Sequence, residues 1–271
     1  MHSLIRHPAV SGKFYPRDRD ALLRDVQSLL SPAVAEPIRA LGCVAPHAGY
    51  MYSGAVAGSV YAQLYVPQTC IVLCPNHTGR GHPLAITSAG EWETPLGSVP
   101  VDAALAEALK RSFPPLAEDS DAHRSEHAIE VQLPFLQACR SDVAFVPIAL
   151  GTSQFEVLEK LGEALADVAN AQKNRPLIIA SSDMNHYESD SVTRKKDQMA
   201  IERMLALDPR GLFDVVKREQ ISMCGFGPAI VMLTAASRTG ATSANLIQYA
   251  TSGDISGNRD MVVGYAGIVV R

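Results

Sequence analysis

Three histidines each follow a short apolar run, and each lies in a polar loop. They are His47 after Leu41–Ala45, His77 after Cys70–Cys74 and His186 after Leu177–Ala180. Ligands of open α/β sheets bind just beyond the carboxyl ends of the strands, so parallel strands would bring these imidazoles to one rim. Imidazole is both a common metal ligand and a general base near neutral pH. The recurrence predicts a shared site, although for each histidine alone a loop residue bonded to the backbone is an equal alternative.

A cysteine occupies another position with chemical potential. Cys224 lies in the segment MCGFGP, at a glycine-rich entry to a predicted helix. A helix N-terminus favours the thiolate, which is the form that binds a metal or attacks a substrate. A single cysteine is more commonly a small buried apolar residue. Core packing is the interpretation for the other four cysteines, which are Cys43, Cys70, Cys74 and Cys139.

A polar segment from Asp121 to Glu130 carries two further histidines, His123 and His127. If a helix begins near Glu126, the carboxylates of Glu126 and Glu130 lie on one face, four residues apart. Taken alone, His123 and Glu126 indicate a solvated helix start.

Several aromatic residues lie near these loops and would suit the walls of a pocket. They are Phe14, Tyr50, Tyr52, Trp92 and Tyr187. Trp92, in the segment EWETPLG, is interpreted instead as a residue that holds its own loop in place.

The elements that must position these residues are visible as six continuous apolar runs, which are typical of strands buried on both faces. The runs are Leu41–Ala45, Cys70–Cys74, Val143–Leu150, Leu177–Ala180, Asn245–Tyr249 and Val262–Val270. Helical patterns follow Asp18, run from Phe155 to Val168 behind a Ser153-x-x-Glu156 capping box, surround Ile201, and run from Pro228 to Ala236. This alternation predicts an α/β fold with a mainly parallel central sheet flanked by helices, formed by residues 1–271 as a single domain.

The composition excludes several classes of protein. With 47% apolar and 19% charged residues, the chain can fill a large core and does not have the makeup of a disordered protein. A net charge of −4 offers no basic surplus for nucleic acid. No signal-like stretch or apolar run of membrane-spanning length occurs, which argues against a membrane protein. Five scattered cysteines do not resemble a disulfide framework, so a cytoplasmic location is expected.

Taken together, ten ordered segments resemble one known family. The segments are FYP, PHAGYMYSG, PNHTG, WETPLGSVPVD, HRSEHAIEVQLPF, PIALG, SSDMNHY, MCGFGP, TSGD and VVGYAGIV. They resemble the Memo family, also called the AmmeMemoRadiSam system protein B family, over nearly the whole chain from Ala9 to Val270. The resemblance implies a fold shared with class III extradiol ring-cleaving dioxygenases, which hold non-haem Fe(II) with two histidines and a carboxylate.

The resemblance also implies roles for individual residues. His47 and His77 are the histidine ligands, and Cys224 takes the place of the carboxylate. His186 resembles the acid/base histidine, Asp183 lies beside the metal, and His127 is similar to a substrate-side histidine, so these three are the catalytic candidates. Phe14, Tyr50, Tyr52 and Tyr187 are the substrate-binding candidates. Phe14 stands where some family members carry tryptophan, which puts in doubt a peptide-binding role tied to an indole. Asp183 is expected either to orient His186 or a ligating imidazole, or to complete the metal shell.

The ligand types do not fix the metal. The dioxygenase resemblance favours Fe(II), whereas a thiolate in the shell suits Zn²⁺ or Cu⁺ as alternatives. Two functions follow. The first is a non-haem metal-dependent oxidoreductase, dioxygenase-like, acting on a small molecule. The second is a non-catalytic metal or redox protein, or a partner-binding protein that takes a peptide in the same pocket. The family also implies an association with a radical-enzyme system.

Overall fold

The computed structural model describes residues 4–32 and 34–271. The strands are β1 (Ile5–Arg6), β2 (Gly42–Ala45), β3 (Thr69–Pro75), β4 (Leu84–Ile86), β5 (Glu91–Thr94), β6 (Gly97–Pro100), β7 (Ala117–Glu118), β8 (Ala144–Leu150), β9 (Leu177–Ser181), β10 (His186–Glu188), β11 (Ala244–Thr251) and β12 (Val262–Val270). The helices are α1 (Arg19–Leu29), α2 (Tyr50–Tyr61), α3 (Ala103–Ser112), α4 (Asp121–Arg124), α5 (Leu133–Cys139), α6 (Phe155–Ala171), α7 (Asp190–Leu205), α8 (Pro209–Arg218), α9 (Phe226–Arg238) and α10 (Ser252–Ser256), with a 3₁₀ turn at Glu130–Gln132.

The large sheet has a parallel centre and antiparallel flanks. Strands β2, β9, β3 and β8 lie side by side and run parallel, in the register that pairs Val44 with Ala180 and Ile71 with Ile178. Beyond them, β12 runs antiparallel to β2, and β4 runs antiparallel to β8. All six predicted strands are present, and the predicted α/β fold is confirmed. The parallel part is the centre of a mixed sheet.

Helices cover both faces of this sheet, which explains why its strands are apolar without interruption. Successive side chains of β3 point to opposite faces. Ile71 and Leu73 pack with α3, α6 and α9, whereas Cys70, Val72 and Cys74 pack with α1, α2 and α5. Cys43, Cys70 and Cys74 are buried in the core, as predicted, whereas Cys139 is exposed. Among the described residues, no helix is both long and apolar enough to span a membrane.

A second, three-stranded sheet was not expected from the sequence. It is formed by β1, β5 and β6, with β1 parallel to β5 and β5 antiparallel to β6. Trp92 lies in β5 with 2% of its surface exposed and packs edge-on against Phe145. The interpretation of Trp92 as a residue that holds a loop is therefore wrong, because its indole is part of the core.

Two local predictions about helix starts are also wrong. Helix α6 begins at Phe155 behind Gln154, and no side-chain capping bond forms there, so Ser153 and Glu156 make no capping box. No helix begins at Glu126: α4 ends at Arg124, and the chain reaches the 3₁₀ turn only at Glu130. By contrast, α9 is followed, as predicted, by Gly240, whose φ of 99° is left-handed.

Candidate metal centre

Three segments bring one potential ligand atom each to the same point. His47 follows β2, His77 follows β3, and Cys224 precedes α9 by two residues. One ligand atom from each of these side chains lies within 4.8 Å of the other two. Since β2 and β3 both run parallel to β9, their carboxyl ends share one rim, as the sequence predicts. The sheet topology therefore positions the two imidazoles, and the entry to α9 adds the thiol.

The ring of His47 is buried and held in one tautomer. Its Nδ1 lies 2.9 Å from the hydroxyl Oγ of Ser181. That hydroxyl donates its own proton to the carbonyl of Ala128 at 2.7 Å. Nδ1 of His47 must therefore donate to Ser181, which leaves the lone pair on Nε2. This Nε2 lies 3.2 Å from Sγ of Cys224, so the ligand-type nitrogen faces the thiol.

The ring of His77 is held by a buried carboxylate. Its Nδ1 donates to Oε1 of Glu126 at 2.9 Å, and its backbone N–H donates to Oε2 at 2.7 Å. Glu126 is fully buried and also accepts the N–H of Ala128 at 3.0 Å. A carboxylate that orients a histidine in this way is the usual support of a metal-ligating imidazole. The prediction that Glu126 and His123 form a solvated helix start is wrong, because both side chains are buried.

The electrostatic environments of the two rings differ. Burial, together with the neighbouring histidines, holds the pKa of His47 well below its ordinary value. Burial also acts to lower the pKa of His77, but the hydrogen bond and charge of Glu126 outweigh it and raise that pKa. The same pairing with His77 holds the pKa of Glu126 below its usual range against the effect of burial. A proton on His77 therefore competes with a metal more strongly than one on His47.

Cys224 does not form a thiolate merely because it stands near a helix start. Burial raises the pKa of its thiol, and the carboxylate of Asp183 raises it further. The expectation that the helix N-terminus would favour the thiolate is thus not met by the protein's own groups, because burial and Asp183 outweigh the backbone hydrogen bonds that lower this pKa. Gly225 lets the loop approach β9, because a Cβ at Gly225 would overlap the side chain of Ser182 and the carbonyl of Ser181.

Asp183 supports the backbone of the rim. Its Oδ1 accepts the backbone N–H of His47 at 2.7 Å. Burial raises the pKa of this carboxyl to about 7, although backbone N–H bonds from His47 and Ala48 oppose the rise. The expectation that Asp183 orients His186 or a ligating ring finds no support in these contacts, since it holds the main chain of a candidate ligand.

His186 lies at the edge of the cluster and is half-buried. Its Nδ1 donates to the carbonyl of Ser222 at 2.9 Å, and its backbone N–H donates to the Ser222 hydroxyl at 2.7 Å. These bonds leave Nε2 as a free proton acceptor. Burial lowers the pKa of His186, and repulsion between a proton on His186 and one on His47 is among the causes that lower the pKa of His47. The ring is therefore neutral at pH 7 and is close to the candidate ligands.

His127 lies over the two candidate histidine ligands. Its ring is stacked on that of His77 with centroids 4.9 Å apart, and its edge contacts His47 at 5.4 Å. Phe14 covers it from the outside at 4.8 Å. Burial lowers the pKa of His127, so a neutral ring closes this side of the cluster.

The predicted substrate-binding aromatic residues are distributed unevenly. Phe14 contacts the cluster through His127. Tyr187 is 69% exposed beside His186, with ring centroids 5.6 Å apart. Tyr52 is half-buried in α2. Tyr50 is buried, and its hydroxyl already donates to the carbonyl of Val131 at 2.7 Å. The contacts of Tyr50 thus make it a core residue, whereas Phe14 and Tyr187 border the histidines.

Sequence reasoning missed the polar side chains behind the cluster. Gln132 donates to the Ser181 hydroxyl at 2.9 Å and to the carbonyl of Pro46 at 3.0 Å. Arg6 bridges Glu130, at 2.8 Å, and the carbonyl of Glu126. The available signal was the presence of Glu130 and Gln132 inside an otherwise apolar run, since charged and amide groups are buried mainly when they are paired.

The fold and the site together define an α/β protein with a candidate mononuclear His/Cys metal centre at the carboxyl ends of its central strands. Residues 6–269 match the family model described as Memo-like protein. A MEMO1 family protein of Methanopyrus kandleri is 42% identical to this chain, covering 98% of this chain and 99% of its own. One of Pyrobaculum aerophilum is also 42% identical, with 98% of both chains covered. The chain therefore belongs to the Memo-like family.

A comparison with solved structures supports the fold alone. The crystal structure of an uncharacterized protein from Escherichia coli K12 is similar with a TM-score of 0.55. The match covers 85% of this chain and all of that one, at 14% sequence identity. The two proteins therefore share an α/β fold at this low sequence identity.

Proposed function

We propose that this protein binds one transition-metal ion through His47, His77 and Cys224 and acts as a metal-dependent oxidoreductase on a small molecule. The observation that supports it is the convergence of three ligand atoms within 4.8 Å. Hydrogen bonds of Ser181 and Glu126 leave Nε2 of each histidine as the lone-pair nitrogen. Two neutral imidazoles and one thiol that a cation can deprotonate form a coherent donor set for such an ion.

The donor set restricts the choice of metal ion but is compatible with more than one. Fe(II) is the choice that agrees with a dioxygenase-like pocket, and Zn²⁺ or Cu⁺ suits the thiolate better. When bound, the ion would supply Lewis-acid chemistry or, for iron and copper, one-electron chemistry. A metal would also oppose the burial that now raises the pKa of Cys224.

The protein's own residues then handle protons and access. His186 accepts a proton at Nε2 from a bound substrate, because Ser222 fixes its Nδ1 as a donor. Phe14 and His127 exclude water from one side of the cluster, since they pack against each other over His77. Asp183 keeps the loop of His47 in place through the backbone.

A metal-content experiment tests the first step of this proposal. Protein purified without oxygen and loaded with Fe(II) is expected to retain about one ion per chain, as read by elemental analysis. His47→Ala, His77→Ala and Cys224→Ala should each lose the ion, since two remaining ligands bind weakly. His7→Ala is the matched control, because that ring is mostly exposed and bonds Glu93. Equal metal content in all five proteins would contradict the proposed centre.

The second candidate function is a metal or redox protein that binds a partner and has no turnover. The observation that favours it is Cys224 itself, because a thiolate in place of a carboxylate fits Cu⁺ or Zn²⁺ as well as Fe(II). The two candidate functions are distinguished by measuring oxygen consumption. The iron-loaded protein is assayed with a panel of catechols and other small reductants. His186→Ala should stop turnover and keep the metal. No turnover with any compound, together with partner binding that the Cys224→Ala variant loses, would favour the second candidate.

A further inference from the structure

Asn185 is a fully buried polar residue in the loop between β9 and β10, next to the candidate proton acceptor His186. Its main chain is held from two sides. The backbone N–H donates to Oδ1 of Asp197 at 2.8 Å, and the carbonyl accepts the N–H of Gly264 at 2.9 Å. The amide side chain of Asn185 therefore projects from a fixed backbone.

The orientation of the Asn185 amide follows from its neighbours. Nδ2 donates to Oε2 of Glu188 at 2.6 Å, and this carboxylate also pairs with Lys196 at 2.7 Å. The hydrogen bonds of Lys196 and Asn185 hold the pKa of Glu188 below its usual range, so the carboxylate is charged at neutral pH and can only accept. Oδ1 of Asn185 must therefore point the other way, where it accepts the backbone N–H and the hydroxyl of Ser222, both at 3.0 Å.

Ser222 passes this constraint on to His186. Its carbonyl accepts the Nδ1–H of the imidazole at 2.9 Å, and its hydroxyl oxygen accepts the backbone N–H of His186 at 2.7 Å. A carbonyl has no proton to donate, so this contact places the ring proton on Nδ1. Because Asn185 takes both donors of Ser222, the acceptor atoms of Ser222 face His186.

The local backbone does not hold the His186 ring by itself. Strand β10 is irregular between His186 and Glu188, and Tyr187 adopts a left-handed φ of 61°. Such a conformation is strained in a residue with a side chain, and it persists only where surrounding contacts hold it. The bonds to Ser222, which lies 36 residues away in the sequence, are contacts of this kind.

Cys224 lies two residues beyond Ser222 and has separate anchors. The N–H of Gly225 donates to the Ser182 hydroxyl at 3.1 Å, and Sγ of Cys224 lies 3.7 Å from the carbonyl of Asp183. Within the part of the chain that the structure describes, no hydrogen bond of the Asn185 side chain reaches a candidate metal ligand. Loss of this amide should therefore disturb His186 more than metal binding.

We propose that Asn185 is a positioning residue: acting through Ser222, it holds the His186 ring with the proton on Nδ1 and the lone pair on Nε2. The inference rests on the proposed function, because the tautomer matters for chemistry only if His186 accepts a proton. The tautomer itself is a property of the metal-free protein, so a failure to find turnover would leave this assignment standing.

The ¹⁵N resonances of the imidazole rings report the tautomer directly. In chelator-treated protein labelled with ¹⁵N-histidine, at about pH 8 where this ring is neutral, His186 should show a protonated Nδ1 and an unprotonated Nε2. The His186→Ala variant identifies its signals. In Asn185→Ala, the population ratio of the Nε2–H to the Nδ1–H tautomer should rise about fivefold or more, which corresponds to the loss of one hydrogen bond of average net strength. An unchanged ratio in Asn185→Ala would overturn the proposal.

Ser222→Ala provides a second test that leaves Asn185 in place. It removes the hydroxyl that links Asn185 to His186, so it should shift the ratio in the same direction by a smaller factor. Because both substitutions act on one path, their effects on the ratio should be less than additive in the double variant. Full additivity would show that Asn185 does not act through Ser222.

A conservative exchange and a control separate positioning from general destabilisation. Asn185→Asp combined with Glu188→Gln retains the acceptor for Ser222 and reverses the bond between the two side chains, so the Nδ1–H tautomer should return. Thr193→Val removes a hydroxyl 3.4 Å from Nδ2 of Asn185; it should leave the tautomer unchanged. Asn185→Ala should keep its zinc affinity within about threefold, because no candidate ligand loses a partner. A shifted tautomer in Thr193→Val or in the exchange variant would refute the assignment.

Discussion

His77 and His123 are two histidines that the fold places in opposite electrostatic environments. Nδ1 of His77 donates to the Glu126 carboxylate, which leaves Nε2 available as the candidate metal ligand. His123 is more deeply buried and has no partner on either nitrogen among the described residues. The pKa of His77 is raised and that of His123 is lowered to about 4. Burial alone therefore does not determine the direction in which the pKa of a histidine shifts. The hydrogen-bond partner of the buried ring decides it.

The largest expected effect comes from removing the charge behind His77. Glu126→Gln keeps the shape but leaves a single acceptor for three N–H donors, so the free energy of unfolding should fall by about 3 kcal/mol. Metal affinity should fall about 10- to 100-fold, because the ligating ring loses its orienting carboxylate. Chemical denaturation and competition with a metal chelator measure the two effects.

A second buried carboxylate provides the control for that variant. Glu130 pairs with Arg6 and accepts the Tyr15 hydroxyl at 2.7 Å, but it contacts no candidate ligand. Glu130→Gln should also destabilise the protein and leave metal affinity within about twofold. If both variants lose metal equally, Glu126 has no special role in holding His77.

An intermediate effect is expected on the free energy of unfolding at acidic pH. Between pH 6.5 and about 4 the unfolded chain binds a proton at His123 that the folded chain does not, so stability falls as the pH falls through this window. His123→Phe should remove this dependence, which is worth about 3 kcal/mol at the acid end. In metal-free protein, the raised pKa of His77 has the opposite sign: its contribution is complete below pH 6.5 and is lost as the pH rises through the folded-state pKa. Denaturant midpoints across pH 4–8 in the presence of a chelator report both, and an unchanged acid slope in His123→Phe would count against a buried neutral ring.

The smallest effect on metal affinity is expected from removing the hydroxyl that holds the His47 ring. Ser181→Ala removes one hydroxyl that bonds the His47 ring, Gln132 and the Ala128 carbonyl. Metal affinity should fall by about tenfold or less, because the ring keeps its place through the backbone. Ser53→Ala is the control, since its hydroxyl donates to the Ala48 carbonyl without touching a ring. Calorimetric titration with Zn²⁺ can resolve the difference, and equal affinities would show that tautomer control at His47 matters little.

The sequence predicts the parts of this molecule in which one local pattern determines the outcome. Continuous apolar runs identify β2, β3 and β9, and the loops that follow them place His47 and His77 at one rim. This inference succeeds because the carboxyl ends of parallel strands must meet at the same edge. Cys224 depended on the family resemblance, because a lone cysteine before a helix has no distinctive local pattern.

What the sequence could not provide were pairings across the chain. Glu126 was interpreted as exposed because the Ser-Glu-His segment is locally polar. Its carboxylate is in fact buried and hydrogen-bonded to His77, which lies 49 residues away in the sequence. The same limit applies to β1, because a strand of two residues is too short to show a periodicity; its position is set by pairing with β5 and by the contacts of Arg6 with Glu126 and Glu130. Phe14 and Tyr50 were both predicted to bind substrate. Their packing distinguishes them, because Phe14 contacts His127 whereas Tyr50 is a core residue.

The distance along the chain between His47 and Cys224, 177 residues, has a consequence of its own. An ion held by both would close a loop of that size, as a disulfide does, but reversibly. A cross-link of this kind adds stability only to the extent that the free ion exceeds its dissociation constant. Metal supply would then govern not only what the protein can do but also how long each copy survives: starved of the ion, the chain would open more often and be degraded sooner.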